Sequence, residues 1–116
     1  MAINDGDDDN PVYPLVAGFA NGENLMVWCL WCCVWHSHGH DPADAIGSVE
    51  HRSAHCYTND SPYKESGGYN VQVSSRSFAS VRKLVKEATP AQQEDIHAGR
   101  SSEAIGRLRS QPQPAP

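Results

Sequence analysis

All four cysteines and five of the six histidines of this chain lie between Cys29 and Cys56. The cluster opens Cys29-Leu30-Trp31-Cys32-Cys33, runs on through His36, His38 and His40, and closes with His51, His55 and Cys56. Two thiols separated by two residues can turn both sulfurs toward one ion, and backbone N–H groups in such a turn can hydrogen-bond the sulfurs. Borderline-soft Zn²⁺ favours thiolate and imidazole in a four-coordinate tetrahedron. Cys56 is the natural third ligand. His38 is the first choice for the fourth, with His36 and His55 as alternatives. The expected set is Cys29, Cys32, His38 and Cys56 around Zn²⁺. An extended strand advances about 3.3 Å per residue, so His38 reaches the ion only if the chain bends after Cys33. Cys33 itself reads as a core or edge thiol, because consecutive ligation by Cys32 and Cys33 is strained.

Other chemistries fit these residues less well. A redox dithiol needs a helix N-terminus to lower a thiol pKa, whereas here apolar and aromatic residues flank the pair. A metal-dependent hydrolase or nuclease using His36, His38 and His55 is the principal alternative, and it requires a water on the metal. Asp5-Gly6-Asp7-Asp8-Asp9-Asn10 resembles the start of a calcium loop, but Asn10 and Val16 stand where glycine and glutamate are required. Trp28, Trp31 and Trp35 read as core beside the metal rather than as a base-stacking platform.

Several elements must position this cluster. Leu15–Ala20 and Glu23–Trp28 read as a hairpin around an Asn21-Gly22 turn. Residues 33–38 and 51–56 read as a second hairpin around the loop 39–49, with Val34, His36 and His38 on one face of the first strand. Residues 57–68 read as a loop and Tyr69–Val73 alternates like a strand. Phe78, Val81, Leu84, Val85 and Ala88 then recur at helical spacing behind a Ser77 cap, with Arg82, Lys83 and Lys86 opposite. Thr89-Pro90-Ala91-Gln92 starts a second helix that Gly99 stops, and residues 102–109 suggest a short third. Strands first and helices after predict an α+β domain: a small zinc-ribbon-like β-hairpin core followed by two or three short C-terminal helices. The expected organisation is an acidic disordered tail (1–10), a zinc-binding β domain (11–76), packed helices (77–109) and a Pro-rich disordered tail (110–116).

Composition narrows the function classes. With 116 residues the chain makes one small domain, a size at which a metal staple matters. Residues 1–60 carry nine Asp/Glu against Arg52 alone, and residues 61–116 carry eight Lys/Arg against five Asp/Glu. The acidic first half argues against duplex binding by phosphate neutralisation alone. The longest apolar run, Leu25–Trp35, is 11 residues, too short to span a membrane. The acidic N-terminus lacks the character of a secretory signal, so a cytoplasmic protein with metal-bound rather than disulfide-bonded cysteines is expected.

The pattern Cys29-x2-Cys32-x2-Trp35-His36-x-His38-Gly39, then His51-Arg52-x-Ala54-His55-Cys56, Ser61-Pro62-Tyr63 and Gly68-Tyr69 resembles small uncharacterised zinc-binding proteins of actinobacteria and their phages. The resemblance covers residues 29–69. It implies a zinc-binding domain on a mobile element or its host and carries no established activity. This chain departs from the pattern at Cys33, where glycine or a polar residue is expected, and in its longer loop 39–49. The expected function is that of a zinc-stabilised protein that binds a macromolecular partner, a host protein or a nucleic acid, without a small-molecule cofactor.

Overall fold

The computed structural model describes residues 13–56 and 60–116. The acidic tail and the calcium-loop-like segment therefore lie outside the described residues. Among those described, the strands are β1 (Leu15–Asn21), β2 (Asn24–Cys29), β3 (Val34–Gly39), β4 (Val49–Arg52) and β5 (Tyr69–Ser77). The helices are α1 (Pro62–Glu65), α2 (Phe78–Val81), α3 (Pro90–His97) and α4 (Glu103–Arg109), with a 3-10 turn over Arg82–Leu84. The class is α+β. The sheet is mixed and curled, in the order β3-β2-β1-β5-β4, with β1 and β5 parallel and the other pairs antiparallel.

The first hairpin forms as expected, one residue out of step. Asn21 pairs with Asn24, so the turn is Gly22-Glu23. Only Gly22 has a positive φ, 63°, as a turn with glycine at its first central position requires. The second expected hairpin does not form. β3 pairs with β2 and β4 pairs with β5, which places them on opposite edges of the sheet. Alternation fixes which side chains share a face, and Val34, His36 and His38 do share one; it does not select the neighbouring strand. Curling brings the two edges back together, and Arg52 Nη2 donates to Gly39 O at 3.4 Å.

Close approach of β1 to its neighbours depends on Gly18. A Cβ there would sit 2.5 Å from Val71 Cγ1 and 2.7 Å from Leu25 Cγ. The concave face buries Val16, Leu25, Val27, Tyr69, Val71 and Val73, together with Cys29, Cys32 and Cys56. The opposite face buries Trp28 and Cys33 against Val85, Ala88, Ile96, Ile105 and Leu108. Trp35 packs edge-on to Trp28, Phe19 and Phe78, with ring centroids 5.5, 5.9 and 5.0 Å apart.

The expected helix over 78–88 is cut short. Ser77 caps α2 by accepting from Ser80 N–H at 3.3 Å, but Val85 is extended and Leu84 is exposed. Tertiary hydrogen bonds replace helical ones there. Lys86 N–H donates to Gln111 Oε1 at 2.7 Å, and Ala88 N–H donates to Cys33 O at 2.8 Å. Thr89 and Gln92 form the expected capping box at α3, and Ser102 caps α4. The stretch read as a loop contains α1, whose signal was present in sequence: Ser61 as cap and Pro62 at the first helical position. Residues 111–116 form neither helix nor strand; Pro114 is buried there, and Arg76 donates to Ala115 O at 3.0 Å.

Candidate metal centre

The knuckle sits where β2 turns into β3. Cys29 ends β2, and Cys33 N–H donates back to Cys29 O at 2.8 Å, closing a tight turn. That turn places Cys33 at φ 57°, the left-handed region that favours glycine. This accounts for glycine as one of the residues expected here. The cysteine side chain is instead buried on the face opposite the cluster, among the residues that receive α3 and α4. Cys32 N–H donates to Cys29 Sγ at 3.3 Å, the backbone-to-sulfur bond that a knuckle provides.

Cys29, Cys32, His36 and Cys56 converge. Their ligand atoms all lie within 4.8 Å of one another, and all four residues are buried. Cys29 Sγ and Cys56 Sγ are 3.6 Å apart, and Cys56 Sγ and His36 Nε2 are 3.9 Å apart. Bond lengths of about 2.3 Å to sulfur and 2.05 Å to nitrogen make tetrahedral edges of about 3.8 Å between sulfurs and 3.6 Å from sulfur to nitrogen. The group fits a tetrahedral ion and could hold one.

Three of the expected ligands, Cys29, Cys32 and Cys56, are in this group; His38 is placed elsewhere. β3 pairs with β2 in unbroken register from Val34 to Gly39. Val34 faces Cys29, His36 faces Val27 and His38 faces Leu25, each pair one step further from the knuckle on the same face. His36 is therefore the nearer imidazole. His38 Nε2 shares a hydrogen bond of 2.5 Å with Tyr69 Oη, and its ring lies 4.3 Å from that of His55. Burial first, and then His55, hold His38 down to about 4, so it is neutral at ordinary pH. His55 is exposed on the rim, 5.9 Å from His36 between ring centroids. His40 pairs with Asp44 at 3.7 Å, and His51 packs on Tyr13 at 4.1 Å.

Ser61, which sequence reasoning noted only within a motif, completes the surroundings. It is fully buried and donates to Cys56 Sγ at 3.1 Å while capping α1. Hydrogen bonds from Cys29, Cys32, His36 and Ser61 stabilise a thiolate at Cys56 and push its pKa below the usual thiol range. Cys29 moves the other way, raised by its hydrogen bonds to Cys32 and Cys56 and by burial. Shared protons of this kind are what a metal ion displaces when it binds.

A residue outside the cluster fastens the turn. Arg109, at the end of α4, donates from Nε to Trp31 O at 2.8 Å, and its guanidinium lies 3.7 Å over the Trp31 ring. The fold and site together define a small α+β protein built around a buried three-cysteine, one-histidine cluster that could hold a metal ion. Comparison with protein-family models, curated proteins and solved structures finds no match. Among the described residues, no helix is long and apolar enough to cross a membrane.

Proposed function

We propose that this protein is a small zinc-stabilised interaction domain, with Cys29, Cys32, His36 and Cys56 holding a structural Zn²⁺. The convergence of those four donors carries the reading. Three thiolates with one imidazole select zinc over harder ions. Four protein ligands also fill a tetrahedral ion, whereas a hydrolytic zinc keeps a position for water. This favours a structural role over a nuclease built on His36, His38 and His55. The site is zinc-ribbon-like on its knuckle side, while its other half comes from a strand histidine and the cysteine after β4. Cysteines gathered as metal ligands suit a reducing compartment, and we place the protein in the cytoplasm. Its role would be to bind a host protein or nucleic acid, in the mobile-element setting that its resemblance suggests.

The test is native mass spectrometry of the full chain before and after chelation, with circular dichroism on each sample. One zinc per chain, whose removal unfolds the protein, is the expected result. A chain that stays fully folded without metal overturns the reading. Turnover of nucleic acid by the metal-loaded protein would move it to the hydrolytic alternative.

A further inference from the structure

The C-terminal half carries a concave site that the metal centre does not use. A surface pocket of about 250 Å³ is lined by Lys86, Gln92, Ala104, Arg107, Leu108 and Gln111. Its floor is apolar, with Leu108 buried and Ala104 half-buried. Its polar side chains present donors. Gln111 is spent on backbone: it accepts from Lys86 N–H at 2.7 Å and donates to Lys86 O at 2.9 Å and Leu108 O at 3.0 Å. Gln92 Oε1 accepts from Thr89 N–H at 2.8 Å, which leaves the amide N–H groups as its polar end. The Lys86 ammonium and Arg107 guanidinium form no ion pair among the described residues, where the pairs are His40–Asp44, Arg52–Glu50 and Arg100–Asp95.

An apolar hollow between two uncompensated cations suits a ligand with an apolar anchor and negative charge beside it. Two cations are too few to track a nucleic-acid backbone, which requires a row of them. The pocket lies in the half of the chain that carries eight Lys/Arg against five Asp/Glu, a balance that suits a short acidic ligand. We propose that this pocket binds a short acidic segment of a partner protein, with one apolar side chain set against Ala104 and Leu108 and flanking carboxylates on Lys86 and Arg107. The proposal rests on the partner-binding reading above and identifies the class of partner.

The test is a fluorescence-anisotropy titration of the zinc-loaded full chain with a labelled Asp-Glu-Leu-Asp-Glu peptide. The comparison probes are the same peptide with serine in place of leucine and a single-stranded oligodeoxynucleotide. Saturable binding of the first peptide is expected, weakened about tenfold by loss of the leucine. Lys86→Gln and Arg107→Gln should each weaken it roughly three- to fivefold, as partly exposed ion pairs do. Both residues are exposed, so both variants should keep the fold and the metal, which circular dichroism and metal analysis verify. Amide shifts on binding should centre on Gln92, Ala104, Leu108 and Gln111, and Ala104→Leu, which fills the hollow, should abolish binding. Absence of saturable binding, indifference to these substitutions, or preference for the oligonucleotide overturns the proposal. A folded, metal-loaded chain that ignores the peptide would sink this site alone; a folded, metal-free chain would sink the zinc reading alone.

Discussion

Replacing His36 and His38 separately by alanine tests the geometry of the cluster most directly. Both imidazoles lie on the inner face of β3, two residues apart, and both are buried. Only His36 has its nitrogen among the sulfurs. Structural zinc binds small domains with about 10–16 kcal/mol, so each of four donors carries about 2.5–4 kcal/mol. His36→Ala should therefore weaken zinc binding by about 10²–10³-fold. His38→Ala removes a different interaction. It leaves the hydroxyl of Tyr69, a fully buried residue, without its imidazole partner, a loss of about 1–3 kcal/mol of stability. Its zinc affinity should change less than tenfold. The assay is competition for zinc against a chromophoric chelator, with a thermal melt of each zinc-saturated variant. Co²⁺ substitution adds an independent readout, because the visible spectrum reports tetrahedral thiolate coordination and should be altered only in His36→Ala. The reverse order, with His38→Ala losing the metal and His36→Ala retaining it, would refute the reasoning and restore the ligand that spacing suggested first.

Three further outcomes are expected. Arg109→Ala removes a charge-assisted bond to Trp31 O and a cation–π contact, and should cost about 2–3 kcal/mol while leaving one bound metal; Arg109→Lys should not restore stability, since a single ammonium cannot reproduce the planar fork and stack together. Unchanged thermal melts for both variants would contradict this. Cys33→Ala should leave metal stoichiometry and the cobalt spectrum unchanged, and the wild-type thiol should resist alkylation until the chain unfolds, because burial pushes its pKa up and it packs on the face opposite the cluster; a changed spectrum would make it a ligand. Acid should release the metal and unfold the chain together, because protons compete for thiolate and imidazole. His38 adds to this with the same sign. Its pKa is about 4 in the folded chain against an ordinary 6.5, so the unfolded chain takes up the proton first and stability falls as pH drops through that window. Thermal midpoints of His38→Gln should fall less steeply there than those of wild type, and parallel curves would refute the contribution.

What was legible in the sequence follows the range of the interactions involved. Caps and stops are decided within four residues, so Ser77, Thr89 and Gly99 were legible. The three clustered cysteines were legible because the type and spacing of the residues sufficed. The face shared by Val34, His36 and His38 was legible as period-two alternation. The partner of β3 was not, because that choice depends on a sheet order that runs through β1 and β5. The histidine nearest the sulfurs was hidden for a related reason. With β3 in unbroken register on β2 the nearer imidazole takes the position, and whether the chain bends after Cys33 is a backbone fact. Helical spacing from Phe78 to Ala88 misled, because Val85 and Ala88 are buried as an extended segment held by Cys33 O and Gln111 rather than by helical bonds.

The placement of the cluster is such that one bound ion would act on the whole domain. Cys29 and Cys56 are 27 residues apart, and β2 and β4 share no hydrogen-bonded ladder. A bridge between those segments closes a loop worth about 3–4 kcal/mol by chain entropy alone, by analogy with a disulfide of that span. The turn from Cys29 to Cys33 also serves both faces of the sheet. Cys29 and Cys32 belong to the concave core, and Cys33 belongs to the opposite one. The helical half is fastened to the same turn through Arg109 on Trp31 O and Ala88 on Cys33 O. Loss of the ion should therefore loosen the two cores together. Hydrogen exchange after chelation should show amides of β2 and α4 losing protection in one step; α4 remaining protected while β2 exchanges would mean that the helical half stands independently of the metal.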